Sequence, residues 1–145
     1  MGFLDSLMGS SSERKEVRTE VQQSNAPFNV VTSFVPVRLS ARKDNMVRMI
    51  VKLTNTTNEL QLVSVDILLP KKEMIGFEPT CINKHMEKRL GEIKAGVSVE
   101  LVIPIWGSNQ TRDGNYPMEL TAYSHYINYE KVLNYVKKRL ILRVV

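Results

Sequence analysis

From about Pro27 onward the hydrophobic positions recur at every second residue, the period of a β-strand and not of a helix. In the run MVRMIVKLTN, Val47, Met49, Val51 and Leu53 share one face while Arg48, Ile50 and Lys52 share the other, which predicts a half-buried strand. The run LQLVSVDILLP turns Val63, Val65, Ile67 and Leu69 inward with Ser64 and Asp66 opposite, and the polar cluster TNTTNE between these runs predicts a turn. Lys94, Ala95 and Gly96 predict a second turn, with glycine supplying a positive φ, after which Val97, Val99, Leu101, Ile103 and Ile105 line one face of another strand. Pro104 has no N–H to give to a ladder, so that strand is expected at an edge or bulge near its end. From Tyr116 the alternation puts Tyr116, Met118, Leu120 and Ala122 inward, and Glu119, Thr121, Tyr123 and His125 outward. The closing run YVKKRLILRVV places Val136, Leu140, Leu142 and Val144 on one face and Tyr135, Lys137, Arg139, Ile141 and Arg143 on the other.

Adding FNVVTSFVPVRLSA, interrupted at Pro36, and a short strand around residues 74–77 gives seven to eight strands. Their frequent turn signals predict an all-β, two-sheet antiparallel sandwich over residues 27–145. In that arrangement the strands holding Arg48 and Glu100 are neighbours, with Arg48 or Lys52 facing Glu100 and Ile50 beside Val102. Residues 1–26 read as an extension and linker. Phe3, Leu4, Leu7 and Met8 would share one side of a short amphipathic helix, and Gly9 with three serines follows as a linker. Residues 14–22 read as an added strand or a solvated helix, with the alternation of Val17, Thr19 and Val21 favouring the strand.

A chain of 145 residues is long enough for one domain without disulfide or metal staples. The lone Cys81 cannot close an intrachain disulfide and suits a reducing compartment. No stretch approaches the length of a membrane-spanning helix, and MGFLDSLMG lacks the positive n-region of a secretory signal. A cytoplasmic protein is therefore expected, with residues 1–10 as the segment that would touch a membrane peripherally. The net charge of +5 is uneven: residues 1–26 carry three basic and four acidic side chains. The last fifteen residues hold Lys131, Lys137, Lys138, Arg139 and Arg143 against no acid, a pattern that bears on partners.

The segments LTNTTNE, RLGEIKAGVSVELVIPI and GNYPMELTAY, in this order and spacing, resemble the Ig-like modules of the CARDB type and similar domains attached to archaeal and bacterial surface proteins. The resemblance covers about residues 37–145 and rests on a TN turn, an LG-x-x-x-x-G turn from Leu90 and Gly91 to Gly96, and a G-x-Y strand from Gly114 to Tyr116. It implies an Ig-like sandwich used for binding, spacing or adhesion. Its motifs are turn and core residues, so it transfers no active site.

Nothing matches a P-loop, a dinucleotide-binding glycine run, a nucleophile elbow or a two-histidine zinc helix. Cys81, His85 and His125 are the best metal candidates, but a structural zinc site usually takes four ligands. The loop carboxylates Asp44, Glu59, Glu78, Asp113 and Glu130 stand singly. The expectation is a non-catalytic module without metal or cofactor. Its binding surface is expected on the outer face of the C-terminal strand and its neighbour, built from Tyr123, His125, Tyr135, Lys137, Arg139 and Arg143. The expected partner is a protein, either another chain or a second copy. The alternative is a nucleic acid or another acidic surface held by the same basic, tyrosine-containing face.

Overall fold

The computed structural model describes residues 26–145, in which nine strands form two sheets. In chain order they are β1 (Phe28–Val35), β2 (Arg38–Leu39), β3 (Asn45–Asn55), β4 (Gln61–Leu68), β5 (Ile75–Gly76), β6 (His85–Ile93), β7 (Ser98–Gly107), β8 (Gly114–His125) and β9 (Val132–Val144). One sheet runs β1-β3-β7-β5 and the other β2-β9-β8-β4-β6. The two proposed elements within residues 1–22, and the membrane contact assigned to residues 1–10, lie outside the described residues.

Period-two alternation builds the core as expected. Val47, Met49, Val51 and Leu53 of β3 face Val63, Val65 and Ile67 of β4 and Met118 and Leu120 of β8, all of them buried. Each fully buried aliphatic side chain contributes about 1.5–3 kcal/mol relative to exposure, so the sandwich is held mainly by this layer. β3 and β7 pair as expected, with Ile50 opposite Val102 and Lys52 opposite Glu100, while Arg48 falls opposite Pro104. β5 reaches only Trp106 and Gly107, so among the described residues no strand pairs with β7 on that side at Pro104. The chain changes sheets near Pro36: β1 pairs antiparallel with β3, whereas β2 pairs in parallel with the end of β9. The turn implied from Leu90 to Gly96 closes at its end, where Val97 N–H reaches Lys94 O at 3.1 Å and Gly96 has a φ of +77°, while Leu90 and Gly91 precede it in β6. They form a bulge within β6, where Val63 faces Gly91 but Ser64 faces Arg89.

Where the chain passes between sheets, buried polar side chains satisfy the backbone. Asn55, fully buried, donates from Nδ2 to the carbonyls of Glu59 at 2.8 Å and Ile93 at 2.9 Å. Its Oδ1 accepts from the Thr57 backbone N–H at 2.9 Å and the Thr57 hydroxyl at 2.6 Å. Its own backbone receives Gly96 N–H at 2.8 Å and donates to Val97 O at 3.0 Å. One asparagine thus joins the β3 end, the following turn and the β6–β7 turn. At the other end Thr111, also fully buried, donates to Met74 O at 2.5 Å and accepts from Ser108 N–H at 2.7 Å, and its carbonyl receives Arg42 N–H at 2.7 Å.

Close approach fixes Gly76. A Cβ there would lie 2.5 Å from Cys81 Cα and 2.7 Å from its carbonyl carbon, both backbone atoms that cannot swing aside. Cys81 is buried, and burial pushes its thiol up in pKa while nearby Lys84 opposes the shift. Asn55→Ala should leave the Ile93 carbonyl buried without its donor and lower stability by about 2–3 kcal/mol, measured by urea unfolding. Asn55→Asp keeps the acceptor for Thr57 but loses both donors, so it should be no better than alanine. Gly76→Ala should cost about 1–3 kcal/mol. The same change should speed the reaction of Cys81 with a thiol reagent, because the loop that buries it is pushed off.

Candidate functional site

The structure distributes the six expected surface residues over four environments. Tyr123 and Tyr135 are cross-strand partners on the outer face of the β8–β9 pair, with ring centroids 6.2 Å apart. Lys137 and Arg139 lie farther along β9 and share one carboxylate, Glu119, at 3.9 and 3.5 Å. Exposed pairs of this kind contribute about 0–1 kcal/mol, yet they cancel part of the charge that the sequence assigns to this face. Arg143 sits at the far end of β9, beside Arg38 of β2. It is eight residues from Tyr135, or about 27 Å along an extended strand.

His125 departs from expectation. It occupies the outer face but is only 7% exposed, because residues 126–131 fold back over it. The Tyr129 ring meets the imidazole edge-on at 5.1 Å, and the Tyr129 hydroxyl accepts from Gly91 N–H at 3.0 Å. The β6 bulge makes that N–H available, and Arg89 lies 4.8 Å above the same ring. Beneath the cover, His125 Nε2 and Ser64 Oγ are 2.7 Å apart. His125 is therefore part of a buried cluster with Ser64 and Tyr129. Thr121, also expected outward, is buried, in register between Lys137 of β9 and Asp66 of β4. Lys138 turns the other way and donates to Val30 O at 3.0 Å, linking the two sheets.

Cys81, His85 and His125, the best metal candidates in the sequence, are held apart. Cys81 Sγ lies 3.4 Å from Trp106 O in the β1-β3-β7-β5 sheet, whereas His85 pairs with Asp66 at 3.1 Å in the other. His85 and His125 face β4 six residues apart, at Leu68 and Leu62, a separation of about 20 Å. Among the described residues no three His, Cys, Asp or Glu side chains gather as a metal site.

What the sequence reading missed is the apolar content of the β8–β9 hairpin tip. Tyr126, Ile127, Val132 and Leu133 are all exposed there, Ile127 at 76% and Leu133 at 62%, and Tyr135 follows at 57%. The Tyr126 carbonyl accepts Asn128 N–H at 2.6 Å, closing a three-residue turn around Ile127, whose φ is +66°. A β-branched residue in left-handed conformation costs on the order of 1–3 kcal/mol, and here the strained side chain is directed to solvent. The register shift between Val132 and Asn134 interrupts the alternation and leaves Val132 and Leu133 both exposed. Beyond the tip, among the described residues, β9 has a strand on its outer edge only at Arg143 and Val144.

No protein-family model matches the sequence, and no curated protein matches it. Solved structures do resemble the fold. The native α2-macroglobulin of Escherichia coli, in a fragment from domain MG7 to the C-terminus, superposes with a TM-score of 0.59 at 18% identity over 83% of this chain and 17% of that one. A chain of the complex between zinc α2-glycoprotein and prolactin-inducible protein from human seminal plasma gives 0.54 at 9% identity, covering 81% of this chain and 93% of that one. AvmM, which catalyses macrocyclization in alchivemycin A biosynthesis, gives 0.51 at 9% identity over 83% and 89%. The chain thus corresponds to a small part of the macroglobulin fragment. At these identities the likeness carries the fold alone, and it does not select the CARDB-type family. The chain is an all-β, Ig-like sandwich.

Proposed function

We propose that this domain is a non-catalytic protein-interaction module that binds through the β8–β9 hairpin. The observation carrying this reading is the exposed, strained Ile127 among Tyr126, Val132 and Leu133. A side chain that costs stability and packs on nothing is poorly explained by folding, and strain of this kind concentrates at functional positions. Clustered large apolar side chains, tyrosine included, also suit the desolvated centre of an interface.

The neighbouring part of β9 defines the partner's chemistry. Tyr135 and Ile141 bracket Lys137 and Arg139, which among the described residues share the single carboxylate of Glu119, so this rim carries excess positive charge. The reading is of a protein surface with an apolar depression for Ile127 and Leu133, bordered by acidic side chains. The expected surface of Tyr123, Tyr135, Lys137 and Arg139 is retained as that rim; His125 and Arg143 are not part of it. A nucleic-acid partner is less well supported on this face, because the tip is apolar and the basic residues beside it are partly neutralised.

The test compares proteins captured by the nuclease-treated full chain with those captured by Ile127→Asn, Leu133→Gln and, as a control on the other sheet, Lys52→Gln. Asparagine tolerates the left-handed conformation, so Ile127→Asn should keep or raise stability by up to about 1 kcal/mol. At least one partner should bind either tip variant about thirtyfold more weakly, the scale of a hot-spot loss, and bind the control unchanged. Identical capture by all four proteins would overturn the reading.

A further inference from the structure

The loops at the other end of the sandwich form a surface of different chemistry. Residues 40–44, 69–74 and 108–113 hold Arg42, Lys43, Lys71, Lys72 and Arg112 against Asp44, Glu73 and Asp113. At the hairpin end, residues 56–60, 94–97 and 126–131 balance Lys94 and Lys131 with Glu59 and Glu130. Of these two sets of loops, only the first carries an excess of positive charge. There Arg42, Lys72 and Arg112, each from a different loop, line an open cleft of about 680 Å3 together with Glu73, Asn109 and Gln110. That volume is of the order taken by small-molecule sites, roughly 300–1,000 Å3.

The three cations rest on a fixed floor. Thr111 hydrogen-bonds all three loops through Met74, Ser108 and Arg42. Asp44 Oδ1 accepts from Asn109 N–H at 3.1 Å, tying the first loop to the third. The Tyr116 hydroxyl donates to Arg112 O from beneath. Arg42 has a φ of +56°, a conformation uncommon for arginine, and its N–H bond to Thr111 holds it there. Two guanidinium groups with their planar donor forks, one ammonium and two amides complement phosphate oxygens, while Glu73 offsets only one of the three charges.

We propose that this cleft binds the phosphate groups of a small, multiply phosphorylated molecule. The concave shape favours a compact polyanion over a long nucleic-acid backbone, which would need an extended positive track; the outer face of β8 and β9 does not provide one, since Glu119 sits between Lys137 and Arg139. This inference is independent of the hairpin surface, because no residue is shared.

The experiment titrates the full chain with inorganic pyrophosphate, with ATP and with a short single-stranded DNA at low salt, following backbone amide shifts by NMR. Pyrophosphate and ATP should bind saturably and move the amides of Arg42, Asn109, Gln110 and Arg112. Arg42→Asn, which tolerates the left-handed backbone, and Arg112→Gln should each weaken binding about tenfold, whereas Lys52→Gln should have no effect. Equal weakening by Lys52→Gln would show general charge attraction and overturn the proposal. So would DNA binding without pyrophosphate binding, or no saturable binding of either phosphate probe by the folded wild-type chain.

Discussion

A two-sheet sandwich must satisfy the backbone groups exposed where its chain leaves one sheet for the other, because an unpaired buried carbonyl or N–H costs about 1–3 kcal/mol. This protein meets that constraint with two buried polar side chains at opposite ends. Asn55 uses both amide hydrogens and its oxygen to join the end of β3 to the β6–β7 turn. Thr111 does the corresponding work for residues 40–44, 69–74 and 108–113. The apolar layer supplies most of the free energy, but it is insensitive to how the loops are arranged. The two hubs decide that arrangement, and the surfaces proposed for binding follow from it.

The strands were legible because their signal is local and repeated. Val47 to Leu53 and Tyr116 to Ala122 declare their inward faces by simple alternation, and a one-residue slip would expose every one of them. Cross-strand placement of Ile50 against Val102 followed from the strand order of a sandwich. The bulge at Leu90 and Gly91 was not legible as such: a glycine in a strand marks either a bulge or a turn, and only pairing with β4 decides between them.

The surface was read less well, for an equally physical reason. Alternation assigns a face to each residue but cannot say what lies over that face. His125 is outward in register and buried in fact, because Tyr129 finds an N–H donor on β6, thirty-eight residues away in sequence. Lys138 counted as one more positive charge in a basic run, yet it reaches Val30 of the opposite sheet. Arg42, Lys72 and Arg112 were invisible as a group, since each stands in a separate turn and only the loop packing around Thr111 brings them to one cleft. Ile127 gave no warning either. Its interest lies in its φ and exposure, neither of which has a sequence signal.

β8 runs from the basic loops at Gly114 to the hairpin at His125, so its length separates the two surfaces by about 35–40 Å. Screening at physiological ionic strength acts over about 8 Å, and energetic coupling between sites without shared partners usually fades beyond about 7–10 Å. Charge at one end therefore contributes little to binding at the other. Added salt should act chiefly on the cleft, where three cations face one carboxylate, and only weakly on the hairpin tip, where Ile127 and Leu133 supply apolar contact. An arrangement of this kind permits both ends to be occupied at once: the rigid sheets hold two unlike contact chemistries at a fixed distance, and neither depends on the other for its shape.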